Sequence, residues 1–110
     1  MLKKVIIPVA GRGTRLLPTT KVQPKEMLPV FSSLNDDLLL KPMVQLIFEQ
    51  LFDFGIHDFC FIVAKEKRVI KDHFSPDYSI LNNLSNQKNT VSFKDMKSFY
   101  NRIEKSNITW

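Results

Sequence analysis

Cysteine, glycine and histidine are all scarce in this 110-residue sequence, at one, three and two residues. A single cysteine excludes an intrachain disulfide. Cys60 lies inside the apolar run Phe59-Cys60-Phe61-Ile62-Val63, where a buried reduced thiol is the expectation rather than a nucleophile. With one cysteine and two histidines, His57 and His73, distant from each other, the sequence lacks a four-ligand zinc set. Long apolar runs are missing too. None reaches membrane-spanning length, and the stretch after Lys3-Lys4 is too short for a signal h-region and has no small-residue cleavage site. The expectation is a cytoplasmic, soluble chain without a membrane partner. Sixteen Lys and Arg against eleven Asp and Glu give a formal net charge of +5, yet the sequence has no block of five or six like charges. Scattered positive charge favours a small anionic ligand over a nucleic-acid patch. The nucleic-acid reading rests on net charge alone.

What is present is enough apolar material for a core: 44% hydrophobic residues, nine of them Phe, in a chain of one domain or part of one. Lys3 to Val9 is short, β-branched and ends in a glycine loop. This is the pattern of a parallel strand buried on both faces, with Pro8 tolerated where the chain leaves the sheet. Ala10 to Pro29 is broken by Gly11, Gly13, Pro18, Pro24 and Pro29 and reads as a long functional loop, with one helical turn possible at Thr14-Arg15-Leu16-Leu17. Phe31 to Lys41 reads as a surface excursion that returns to the core, and Asp36-Asp37 as a solvated turn rather than a metal site. Pro42 to Phe54 carries a helical pattern through Met43, Leu46, Ile47, Gln50, Leu51 and Phe54, begun by proline and stopped by Gly55.

A second buried strand follows over Phe59 to Ala64, so the two strands and the helix between them form a βαβ unit. Lys65 to Phe74 predicts a helix with Val69, Ile70 and Phe74 on one face, ended by Ser75-Pro76-Asp77. Tyr78 to Asn89 reads as a helix and then a loop. Phe93 to Glu104 predicts a helix through Met96, Phe99, Tyr100 and Ile103, and Asn107 to Trp110 starts a third strand. His57 and His73 read as helix-flanking residues.

The chemistry concentrates in the first thirty residues. A glycine loop after a buried strand lets backbone N–H groups approach a phosphate closely, at the strand end where α/β sheets bind ligands. Gly11-Arg12-Gly13 fits neither the dinucleotide fingerprint, where Leu16 takes the place of the third glycine, nor a Walker loop. A tight turn is the plain alternative. Arginine's planar fork suits phosphate oxygens, and Arg12 and Arg15 flank Gly13-Thr14. With Lys21 and Lys25 they put four cations between Gly11 and Pro29 against one acid, Glu26. That imbalance points to a polyphosphate ligand.

Val9-Ala10-Gly11-Arg12-Gly13-Thr14-Arg15-Leu16-Leu17-Pro18-Thr19-Thr20-Lys21, then Pro24-Lys25-Glu26-Met27-Leu28-Pro29 and Lys41-Pro42-Met43, closely resemble the N-terminal signature of the sugar-1-phosphate nucleotidyltransferases. Pro24 to Pro29 is similar to the uridylyl members, which join UTP and glucose 1-phosphate. Thymidylyl members usually carry Lys-Gln-Leu-Leu-Pro there and a Gly-Gly pair at Ala10-Gly11. Phe54-Gly55-Ile56 and Lys71-Asp72-His73-Phe74 extend the resemblance to about Asp77. It implies a Rossmann-like three-layer αβα nucleotidyltransferase fold with a mostly parallel sheet, present over residues 1–110 as its N-terminal part. It implies backbone contacts from Ala10 and Gly11 to the base, and triphosphate binding by Arg12, Gly13, Thr14 and Arg15. Arg15 and Lys25 become the catalytic cations, and Glu26 lies by the nucleotide or positions Lys25. It also implies Mg²⁺ and a homo-oligomer.

Two departures stand out. Phe31 to Lys41 is longer than the corresponding link in bacterial uridylyl members. The family's later landmarks, a Gly-rich segment, a metal aspartate in Gly-Asp-Asp and the sugar-contacting Glu and Lys, would lie beyond Trp110. The alternatives to a uridylyl transferase are therefore an inactive fragment, a nucleotide-binding module without chemistry, or a thymidylyl-type enzyme. A sheet cut short in this way would expose apolar surface and an open edge, and so favour self-association.

Overall fold

In the computed structural model, residues 4–9, 11, 14–21, 23–34, 37–64, 68–84, 86 and 90–110 are described. Three parallel strands form the central sheet in the order β1 (Lys4–Pro8), β4 (Asp58–Ile62), β5 (Asn107–Thr109). Val5 pairs with Phe59, and Phe59 in turn with Ile108. Between β1 and β4 the chain makes an antiparallel hairpin of β2 (Pro29–Leu34) and β3 (Asp37–Pro42), then helix α1 (Met43–Asp53). Between β4 and β5 it makes α2 (Arg68–His73), α3 (Tyr78–Asn83) and α4 (Val91–Glu104). The α/β expectation holds, and so does the β–α–β connection with its parallel strands.

Among the described residues the helices cover one face of the sheet. Val9, Phe59 and Phe61 are buried with Val44, Phe48, Ile70, Phe74, Phe99 and Tyr100 in one core, while Ile6 and Ile62 stay 60% and 51% exposed. The reading of β1 as buried on both faces is thus corrected. Alternation along a strand sends successive side chains to opposite faces, and among the described residues packing elements cover only the face carrying Val5, Ile7, Phe59 and Phe61. Two adjacent layers of an αβα sandwich are formed.

Aromatic rings fill that core. Phe48 lies against Phe59, Phe74 and Phe99, with ring centroids 4.7, 5.2 and 5.9 Å away. The last two contacts are edge-on, an arrangement that satisfies the ring quadrupoles. Phe61 also stacks on Trp110 at 4.8 Å, which ties the residue after β5 to the sheet.

Helix α1 occupies its expected place, with Pro42 at the N-cap and Gly55 at a φ of 114° just beyond its end. Its buried face differs. Val44, Gln45, Phe48 and Glu49 face inward, while Ile47 and Gln50 are exposed and Phe54 is 86% exposed. The buried stripe is turned by nearly half the helix circumference from the one the apolar spacing predicts, because Gln45 and Glu49 are buried beside Val44 and Phe48.

Phe31 to Lys41 is the expected surface excursion, with Phe31, Leu38 and Leu40 exposed and Lys41 buried, but it is regular. It belongs to the hairpin, where Phe31 pairs with Leu40 and Ser33 with Leu38. Asp37 begins β3 and is exposed, and Asp36 lies outside the described residues. Helix α2 is described over Arg68–His73, and Lys65, Glu66 and Lys67 of the predicted helix lie outside the described residues. Ile70 and Phe74 are buried as expected, but Val69 is 47% exposed. Helices α3 and α4 begin with side-chain caps, Asp77 accepting from the Ser79 N–H and Thr90 from the Phe93 N–H. Cys60 is half-buried.

Candidate nucleotide-binding loop and the polar cluster behind it

The loop leaves the sheet where β1 ends. The Val9 N–H still bonds to the Ile62 carbonyl at 2.8 Å, so β1 and β4 stay paired up to the start of the loop. The parallel order brings the carboxyl ends of β1 and β4 to one side, where open α/β sheets hold ligands. Thr14–Leu16 then forms a single 3₁₀ turn, as the spacing predicted, and Leu17–Pro18 is a cis peptide. Lys25–Met27 forms a second 3₁₀ turn that was not predicted. Pro24 precedes it with an extended backbone, and the Leu28 N–H closes it on the Lys25 carbonyl at 3.1 Å.

The two turns treat their charges differently. Thr14, Arg15 and Lys21 are exposed and stand free of the core. Glu26 is only 6% exposed, while Lys25 beside it is half-buried. In a three-residue turn neighbouring side chains point in different directions. Glu26 is buried within the turn, and the Lys25 side chain is turned toward Gly11. A methyl group added to Gly11 would sit 3.5 Å from Lys25 Nζ and 3.7 Å from its Cε. Both are ordinary van der Waals distances, so the end of the Lys25 side chain lies within one methyl's reach of Gly11.

Gly11 and Lys25, fourteen positions apart in sequence, are therefore brought together. Thr14 and Arg15 share the first turn, and Glu26 lies beneath the second. Ala10, Arg12 and Gly13 lie outside the described residues. Among the described residues no three His, Cys, Asp or Glu side chains gather into a cluster that could hold a metal ion.

A polar cluster that the sequence reading missed lies behind the loop. Lys41, 8% exposed at the end of β3, donates to Glu49 Oε1 on α1 at 2.7 Å and to Asp95 Oδ1 on α4 at 2.8 Å. Gln45 Nε2 donates to the second oxygen of each carboxylate, at 3.3 Å to Glu49 and 3.1 Å to Asp95. With both amide hydrogens so used, the Gln45 carbonyl faces His73 Nε2 at 2.8 Å, which makes that nitrogen the donor. Arg102 closes the cluster, with Nη1 on Glu49 at 3.3 Å and a two-pronged bond to Asp53 at 3.0 and 2.9 Å. Every buried side-chain nitrogen and oxygen among the described residues has a partner.

The ionisation of this cluster follows from its burial and its pairing. Burial disfavours the Lys41 ammonium and is the largest single influence. The hydrogen bonds and charges of Asp95 and Glu49 together outweigh it and raise the pKa above the ordinary lysine value. For His73 burial dominates and lowers the pKa, against a smaller opposing pull from Asp95. The sequence carried one clue to the cluster. Gln45 and Glu49 are spaced four apart on the same helical face as Val44 and Phe48, a position that surface polar residues do not take.

Comparison with known proteins gives the family. The nucleotidyl transferase family profile matches residues 4–93, and the chain belongs to that family. It is 39% identical over 100 residues to the UTP–glucose-1-phosphate uridylyltransferase of Bacillus subtilis, covering 91% of this chain and 32% of the relative. An apo UDP-glucose pyrophosphorylase crystal structure superposes over 99% of this chain and 36% of its own, with a TM-score of 0.79 and 34% identity. A second such structure, solved with UDP-glucose, covers 99% of this chain and 34% of its own, with a TM-score of 0.71 and 35% identity. The chain thus spans about a third of the length of the relatives it matches.

Proposed function

We propose that the protein carrying this chain transfers a uridylyl group from UTP to glucose 1-phosphate, forming UDP-glucose and releasing pyrophosphate, and that residues 5–29 supply the nucleotide half of its site. One observation carries the reading: the Lys25 ammonium lies 3.5 Å from where a Cβ on Gly11 would sit, in the loop that leaves the carboxyl end of β1. The names of the relatives, a uridylyltransferase and a pyrophosphorylase holding UDP-glucose, give the substrate class.

The chemistry fits the residues. A phosphate oxygen of the sugar phosphate attacks the α-phosphorus of UTP. The bond from that phosphorus to the bridging oxygen breaks, and pyrophosphate leaves with the electron pair. The nucleophile is already an anion, so the reaction requires in-line placement and charge neutralisation rather than a general base. Lys25 is anchored by its turn and neutralises charge near the reacting centre. Arg15 extends freely from the first turn and follows the departing pyrophosphate. The backbone at Ala10 and Gly11 approaches the base, and Arg12, Gly13 and Thr14 complete the phosphate cradle. Glu26, turned inward, positions Lys25. Mg²⁺ would add further neutralisation of the phosphates, and we assign its ligands to carboxylates outside residues 1–110.

Incubation of the full-length protein with uracil-labelled UTP and glucose 1-phosphate tests the reading. Label appearing in UDP-glucose supports it, and no turnover with any nucleoside triphosphate refutes it.

A further inference from the structure

We propose that Lys41 is a positioning residue for the nucleotide loop: held by Glu49 and Asp95, it fixes the hairpin strand that sets Lys25 against Gly11. The proposal deepens the nucleotide reading given above and rests on it.

Lys41 belongs to a sequence signature full of cations, yet its charge does not face the loop. It is 8% exposed and its ammonium is engaged by two carboxylates. Its main chain points the other way. Lys41 pairs with Val30, and Pro42 with Pro29, across the β2–β3 ladder. The Met43 N–H then bonds to the Leu28 carbonyl at 3.1 Å. Residues 41–43 therefore grip residues 28–30, and Leu28 is the residue that closes the Lys25–Met27 turn. The Lys41 anchor is thus connected through the β2–β3 ladder and the Met43–Leu28 bond to the turn that carries Lys25.

The anchor is tied to every helix that matters to the turn. Glu49 lies on α1 and Asp95 on α4, and Gln45 holds both carboxylates and is held in turn by His73 on α2. Helices α1 and α2 both pack on the Lys25–Met27 turn. An apolar side chain at position 41 could fill the same volume, but its contacts would be non-directional. Hydrogen bonds to two carboxylates on two helices fix the strand in translation and rotation, a register role attested for buried polar groups. A ladder shifted by one residue would turn its side chains to the other face.

The test is steady-state kinetics and UTP calorimetry on the full-length protein and on the Lys41→Met, Lys41→Arg and Lys41→Met/Glu49→Gln/Asp95→Asn variants, with thermal melting of each. The triple variant removes the stranded charges, so it keeps the test valid if the single variant does not fold. The expected result is a KM for UTP raised about tenfold in the triple variant, and in Lys41→Met if it folds, with the KM for glucose 1-phosphate almost unmoved and partial recovery in Lys41→Arg. A melting temperature restored in the triple variant without restored UTP affinity would support positioning. Recovery of both together would make Lys41 a stability residue only and overturn the proposal. Variants that melt well above the assay temperature and bind UTP like wild type would overturn it as well. Wild-type protein that binds no UTP would refute the nucleotide reading first and this proposal with it.

Discussion

Replacing Phe48 and Phe54 by alanine, one at a time, separates the face of α1 that apolar spacing alone predicts from the face that the fold uses. Phe48 is fully buried and touches the rings of Phe52, Phe59, Phe74 and Phe99, whereas Phe54 is 86% exposed. Truncating a phenylalanine in a packed core costs about 3–5 kcal/mol in lost transfer energy and residual cavity. For a domain near this size each kcal/mol lowers the melting temperature by about 4 °C, so Phe48→Ala should melt roughly 12–20 °C below wild type. Phe54→Ala should stay within about 0.5 kcal/mol, a shift of roughly 2 °C. Circular dichroism at the helix band during heating reads both. Should Phe48→Ala fail to fold, Phe48→Leu retains most of the volume and should still melt measurably lower. Equal shifts in the two alanine variants, or a larger one for Phe54→Ala, would show that α1 is rotated from the orientation described.

Three further outcomes follow from single positions. Gly11→Ala should leave the melting temperature unchanged, because the added methyl meets nothing closer than 3.5 Å. It should weaken UTP binding about tenfold by filling space over the loop backbone, which calorimetry would read. Gly55→Ala should cost about 1–3 kcal/mol in urea unfolding although nothing lies within 4 Å of the new methyl, because its φ of 114° strains an L-residue. Acidification should destabilise the chain through His73. Its folded pKa lies below the ordinary 6.5, so the unfolded chain binds more protons as pH falls through 6.5, and stability drops until the folded-state pKa is passed. Urea melts at stepped pH should show that slope, and His73→Gln should flatten it.

The first strand, the glycine loop, α1, α4 and the short last strand were all legible, because each has a local signal: a β-branched run ending in glycine, helical spacing, a proline start or a glycine stop. The 3₁₀ turn at Thr14 was legible for the same reason. The hairpin was not, since Ser32, Ser33 and Asp37 read as loop residues and its register depends on pairing across the turn. The Lys25–Met27 turn was hidden between two prolines. The site was legible as a set of cations but not as an arrangement. Spacing cannot show that Lys25 returns to Gly11 while Glu26 turns inward. Beyond the spacing of Gln45 and Glu49, the cluster of Lys41, Gln45, Glu49, His73, Asp95 and Arg102 was not legible, because its members come from β3, α1, α2 and α4. Polar residues on a helix are ordinarily assigned to solvent, and only tertiary contacts show that these are buried in mutual pairs.

The central claim is that this loop holds a nucleoside triphosphate through the Lys25 ammonium. Calorimetric titration of UTP into the full-length protein and its Lys25→Ala variant tests it most directly. The account predicts saturable binding by wild type and a loss of about tenfold or more in the variant, the range expected when a charge-assisted phosphate contact is removed. Superimposable isotherms from the two folded proteins would contradict it.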